Sequence, residues 1–175
     1  MESNQNYFVF KLYTYKQIPV FNQEMHYMLL FDALSFLKNK FKIGLLAYVI
    51  MPDQIQLIIE KMDNDLASGF SENLKTITRN EIIKILERDK DFATLLELEI
   101  AKGKQKYRLW EMKPELEIIE SKEKLETRIN LLHEKPVRLN LADSIESYKY
   151  SSAKFYLLNQ ATEIKLNDYR ALLAT

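Results

Sequence analysis

The chain has 175 residues, 25 basic against 25 acidic side chains, and no cysteine. That length buries roughly two-thirds of the unfolded surface, and without a Gly/Ser/Pro linker it implies one domain over residues 1–175. Disulfides and thiolate metal centres are excluded, zero net charge gives no global field toward a polyanion, and neither a membrane-spanning run nor a signal segment is visible, so the cytoplasm is the expected compartment.

Residues 7–14 are aromatic and β-branched with Lys11 as their lone charge, and they predict a strand. Asn22 is placed to cap the next helix, with Glu24 in its first turn and Met25, Leu29, Ala33, Phe36 and Leu37 as its apolar stripe. Residues 43–50 carry no charge and predict a central strand covered on both faces. Pro52 and Asp53 then turn the chain into a strand at 54–60, where Ile55, Leu57 and Ile59 share one face and Gln54, Gln56 and Ile58 the other. A helical stretch is expected from 65 to 88, continuing toward 100, then an edge strand near 105–111. Ser121 caps a last helix that should stop before Pro136. This order predicts an α+β fold, an antiparallel sheet with helices packed on one face.

Charge is locally clustered. Lys102, Lys104, Lys106 and Arg108 form a short basic stretch with Gly103 and Tyr107 interleaved, and Lys135, Arg138, Lys149 and Lys154 add positive charge in the C-terminal third. Each cluster fits a solvated loop as well as a phosphate-binding surface. His26 and His133 are the only histidines, too few and too scattered for a two-histidine metal site.

Three blocks carry a family resemblance. Ala47-Tyr48-Val49-Ile50-Met51-Pro52-Asp53-Gln54-Ile55-Gln56-Leu57 is similar to a signature that reads A-Y-V-x-M-P-N-H-V-H-L. Tyr107-Arg108-Leu109-Trp110-Glu111 is similar to a hydrophobic-Trp-Gln/Glu segment. His133-Glu134-Lys135-Pro136-Val137-Arg138 and Tyr148-Lys149-Tyr150-Ser151-Ser152-Ala153 resemble Y-I-H-x-N-P-V-R followed by Y-x-Y/W-S-S-A. In that order, over about residues 7–157, the chain resembles the single-tyrosine (HUH) insertion-sequence transposases, in particular the REP-associated tyrosine transposase branch, with degenerate catalytic motifs. The resemblance implies a ferredoxin-like sandwich whose open sheet face carries a Mg or Mn site opposite a tyrosine-bearing helix. It also implies a DNA hairpin or single-stranded DNA as partner.

Phosphotyrosine chemistry needs a metal ion to polarise the scissile phosphate and a nucleophile in line with it. Two histidines at i and i+2 on a strand leave one face about 6.6 Å apart and converge on one ion. Gln54 and Gln56 keep that spacing but offer neutral amide oxygens, poor ligands for a transition metal. The third block puts Leu131 at the tyrosine position. Leu125, Ile129 and Leu132 form that helix's apolar stripe, whereas Leu131 falls among Lys124, Thr127 and Arg128. The resemblance assigns Tyr148 and Tyr150 to packing of a C-terminal tail, about 139–175.

The expectation is a transposase-like DNA-binding protein without strand cleavage and without a metal cofactor. Gln54, Gln56 and Leu131 are then vestigial catalytic positions, and Lys104, Lys106, Arg108, Lys135, Arg138, Lys149 and Lys154 are the candidate DNA contacts. Two alternatives stay open. One is a repurposed or decayed interaction module that binds no DNA; under either reading a homodimer is admissible. The other is an active nickase using an amide-carboxylate site drawn from Gln54, Gln56, Asp53 or Glu60.

Overall fold

Alternation along the strands divides the apolar side chains into two cores. In β1 (Tyr7–Tyr13), Phe8, Phe10 and Leu12 enter one cluster while Tyr7 and Val9 enter the other. The computed structural model describes residues 7–173, so the two ends of the expected 1–175 domain lie outside the described residues. After β1 come α1 (Glu24–Lys40), β2 (Gly44–Met51), β3 (Gln54–Glu60), α2 (Asn64–Arg88), α3 (Phe92–Leu98), β4 (Glu115–Ile119) and α4 (Lys122–Arg138). Two short helices, α5 (Ala153–Leu158) and α6 (Tyr169–Leu173), follow.

The sheet runs β2-β3-β1-β4 with every pairing antiparallel, the ferredoxin-like α+β arrangement that was expected. Helices α1, α2 and α3 pack on the face that carries Phe10, Leu12, Ile55, Leu57 and Ile59. The other face is not left open. There α4 lays Leu125, Ile129 and Leu132, the stripe expected of it, against Val9, Ala47, Val49 and Ile58.

Several local expectations change. The charge-free strand β2 is buried on both faces but lies at the sheet edge rather than its centre. The C-terminal tail closes that edge: Ile50 N–H donates to Tyr150 C=O, Ser152 N–H to Tyr48 C=O and Asn167 N–H to Leu45 C=O. This removes the open backbone row that an edge strand otherwise presents.

In α1 the N-cap is Gln23, not Asn22, and no side chain caps it. Its buried face is Tyr27, Leu30, Phe31, Leu34 and Leu37, leaving Met25 48% and Phe36 57% exposed. Two apolar stripes compete on this helix, and the aromatic-rich one seats against the sheet.

The expected edge strand at 105–111 reduces to isolated bridges, Thr14 to Trp110 and Glu99 to Tyr107, and the ladder along β1 falls at 115–119. Pro114 lies between the two and supplies no N–H to continue pairing. Ser121 does cap α4, accepting from Lys124 N–H, but the helix runs through Pro136 to Arg138. Proline is tolerated because the helix ends within a turn, where Asn140 in the left-handed region (φ 57°) donates to Val137 C=O and Leu141 N–H donates to Pro136 C=O.

Candidate functional site

Strand β3 is interior, with Gln54 opposite Tyr13 and Met51, and Gln56 opposite Lys11 and Val49. The period of two puts both amides on the face covered by α4, as expected, and both are buried. A buried amide is costly unless paired. Here the pairing is mutual: Gln56 Nε2 donates to Gln54 Oε1 at 2.6 Å, and Gln54 Nε2 donates to Asp53 Oδ1 at 3.0 Å. From α4, Lys135 Nζ donates to the same Gln54 Oε1 at 3.3 Å.

Leu131 is 39% exposed on α4 and lines a cleft of about 180 Å³ together with Gln56, Lys11, Glu117, Arg128 and Lys135. The strand and helix positions singled out from the sequence therefore face each other. Lys11, Arg128 and Glu117 were not foreseen as site residues. Lys11 reaches Glu117 at 3.5 Å and Glu115 at 3.8 Å, and Arg128 pairs with Glu117. For Lys11 the signal was available, since it is the only charge in an otherwise apolar strand.

This donor set does not suit a divalent ion. Gln54 Oε1 already accepts two hydrogen bonds, one from an ammonium, and Lys11 adds a second positive charge beside Lys135. Among the described residues no group of three or more His, Cys, Asp or Glu is placed to hold a metal. Glu60, one source for the alternative nickase site, pairs with Tyr7 at the far end of β3, about 20 Å along the strand from Gln54. Calorimetry with manganese is expected to show no micromolar binding, and Gln54→His with Gln56→His to introduce some without restoring cleavage. Micromolar binding lost on Gln54→Ala with Gln56→Ala would contradict this.

The seven candidate DNA contacts do not form one patch. Lys104 and Lys106 are exposed in the loop after α3, and the Arg108 guanidinium lies 5.1 Å from the Tyr15 ring centre. This segment is tied to the C-terminal end of β1 by Tyr15 N–H donating to Leu109 C=O and by Glu111 N–H donating to Tyr13 C=O. Lys135 approaches the same end from the α4 face. Arg138, Lys149 and Lys154 are instead paired with Glu134, Glu24 and Glu163.

His133 and Tyr148 are structural. Nε2 of His133 lies 2.8 Å from Ser152 Oγ, so the two C-terminal blocks meet, and burial pushes the imidazole pKa down to about 4. Tyr148 donates its hydroxyl to Ile50 C=O, and burial raises its pKa, which makes it a poor nucleophile. Tyr150 stacks on Tyr27 with centroids 3.4 Å apart. His26 is buried on the α1 side, away from His133.

No family model matches the chain, and no curated protein matches it. Among solved structures it is similar to a REP-associated tyrosine transposase bound to a REP hairpin, at a TM-score of 0.61 and 11% identity over 95% of this chain and 87% of that one. It also matches a candidate transposase from Deinococcus radiodurans, at a TM-score of 0.45 and 16% identity over 75% of this chain and 90% of that one. At these identities the likeness is one of fold, and the chain has the fold of the REP-associated transposase.

Proposed function

We propose that this chain is a transposase-derived protein that binds hairpin or single-stranded DNA and does not cleave it. The observation that carries the reading is the meeting of Gln56 and Leu131 across one cleft, with Gln54 hydrogen-bonded behind Gln56, in a fold whose solved neighbour holds a REP hairpin. Leu131 has no hydroxyl to attack phosphorus, and the amide pair gives no imidazole to a metal. Groups that act as a unit lose nearly all rate when one is missing, so removing three leaves no useful cleavage. Phosphate contacts depend on Lys, Arg and backbone amides, which those changes leave in place.

The test is a labelled hairpin incubated with the protein in Mg or Mn, read by anisotropy and by denaturing gel. Saturable binding without a covalent adduct is the expected result. An adduct would establish a nickase. Absence of binding to hairpin, duplex and single strand at low salt would favour an interaction module. That second reading draws on zero net charge, on the ion pairs of Arg138, Lys149 and Lys154, and on the exposed apolar groove of Met25, Met28, Phe36 and Ile77 between α1 and α2.

A further inference from the structure

We infer that Lys135 is the resident cation of the Gln54–Gln56 site, and that the cleft beside it seats one phosphodiester group without a metal ion. The inference rests on the DNA-binding reading above and specifies where one phosphate goes.

Lys135 lies on the buried side of the last turn of α4, and its Nζ ends on Gln54 Oε1, the atom that a metal bound to this pair would need. Among the described residues Lys135 has no carboxylate in ion-pair contact and hydrogen-bonds only to that amide oxygen. An ammonium carries three donors, so at least two remain to be satisfied by something else. Partial burial and Lys11 both disfavour its charge, with Asp53 and Glu115 offsetting part of this, so an anion that enters the cleft relieves a real electrostatic cost.

The rest of the cleft agrees. Lys11, Arg128 and Lys135 line it with one carboxylate, Glu117, while Glu115 reaches Lys11 from outside the lining at 3.8 Å, which leaves Lys135 as the lining cation without an ion-pair partner. Glu117 holds Lys11 and Arg128 in place through ion pairs. A phosphodiester, with one negative charge and two free oxygens, can take a donor from Lys135 and another from Lys11 or Arg128 while Glu117 keeps its place. Leu131 forms the apolar wall. In the motif quoted above the position of Lys135 is an asparagine, so the cation here stands beside the lost histidine pair.

The experiment measures binding of a labelled hairpin in excess EDTA by the native sequence, Lys135→Met and Lys135→Arg, with thermal melting as a fold control. Undiminished affinity in EDTA, about tenfold weaker binding by Lys135→Met, a salt slope reduced by about 0.7 to 0.9, and retention by Lys135→Arg are expected. Equal affinity of Lys135→Met, or binding that needs added metal, overturns the phosphate seat and leaves DNA binding intact. Should the native chain bind no DNA, the DNA reading fails on its own. The seat is then decided by titrating inorganic phosphate against the Lys135 side-chain NMR signal: a saturable shift upholds it and a flat response overturns it.

Discussion

Between pH 6.5 and pH 4 the protein is expected to lose about 3 kcal/mol of folding stability through His133 alone. Burial holds its pKa at about 4 against an ordinary value of 6.5, and no carboxylate contributes to the shift. Above pH 6.5 the ring is neutral folded or unfolded and contributes no pH dependence. Below it the unfolded chain takes up a proton that the folded chain refuses, so stability falls by about 1.4 kcal/mol per pH unit until the folded ring titrates. The 2.5-unit gap from 6.5 to 4 at that full slope would give about 3.5 kcal/mol, and because the slope tapers near each pKa the loss over this window is about 3 kcal/mol, a large part of a typical total. His26, whose pKa burial also lowers, adds in the same direction. Urea unfolding at half-unit pH steps measures the sum. His133→Gln keeps a polar partner for Ser152 and cannot titrate, so it should flatten the slope toward the His26 contribution. An unchanged slope in that variant would remove His133 as the cause.

The first place to loosen is foreseeable. Ser152 Oγ meets His133, accepts from Tyr48 N–H, and sits where the tail closes the outer edge of β2. A proton on His133 places an unpaired cation beside that junction. Because Leu131 and Lys135 share the helix with His133, acid should disturb the cleft before it melts α1 and α2 on the other face of the sheet.

The site was largely legible as residue types and faces, because a strand's period of two fixes direction without knowledge of its neighbours. Gln54 and Gln56 pointing together, the Leu125, Ile129 and Leu132 stripe, and Leu131 on its own side all follow from periodicity and hold in the structure. Tertiary choices were not legible. A charge-free β2 reads as central whether neighbouring strands or a docked tail cover it, and only the pairing of Tyr150 and Ser152 distinguishes the two. Phe36 lost to Phe31 because both belong to acceptable helical stripes and packing decides between them. Rough position along the chain makes Lys135 a candidate DNA contact, but nothing in its sequence neighbours indicates that its ammonium reaches Gln54, 81 residues away.

Replacing Lys104, Lys106 and Arg108 together with Ala should flatten the salt dependence of hairpin binding by about two to three log-log units. Each phosphate neutralised contributes roughly 0.7 to 0.9, and counterion release fixes the slope independently of base sequence. Lys104 and Lys106 stand exposed with no carboxylate in ion-pair contact among the described residues, Lys106 resting on the Tyr107 ring with Glu99 and Glu87 farther off, and Arg108 is held by Tyr15 rather than by a carboxylate, so each charge is available to DNA. If the lines converge near 1 M salt, the lost slope corresponds to binding on the order of a hundredfold weaker at 0.15 M. Folding should be nearly unaffected, since the Arg108 ring contact is worth about 0.5–1 kcal/mol at an exposed site. Arg138, Lys149 and Lys154 provide the contrast, because each must leave Glu134, Glu24 or Glu163 before it meets a phosphate. Their combined replacement should change the slope by less than about one unit. Anisotropy titrations of one labelled hairpin across salt concentrations compare the two variants directly. Equal slope changes would mean that the surface ion pairs open freely on binding, and a larger change in the second variant would move the DNA path from the 101–108 loop to the tail.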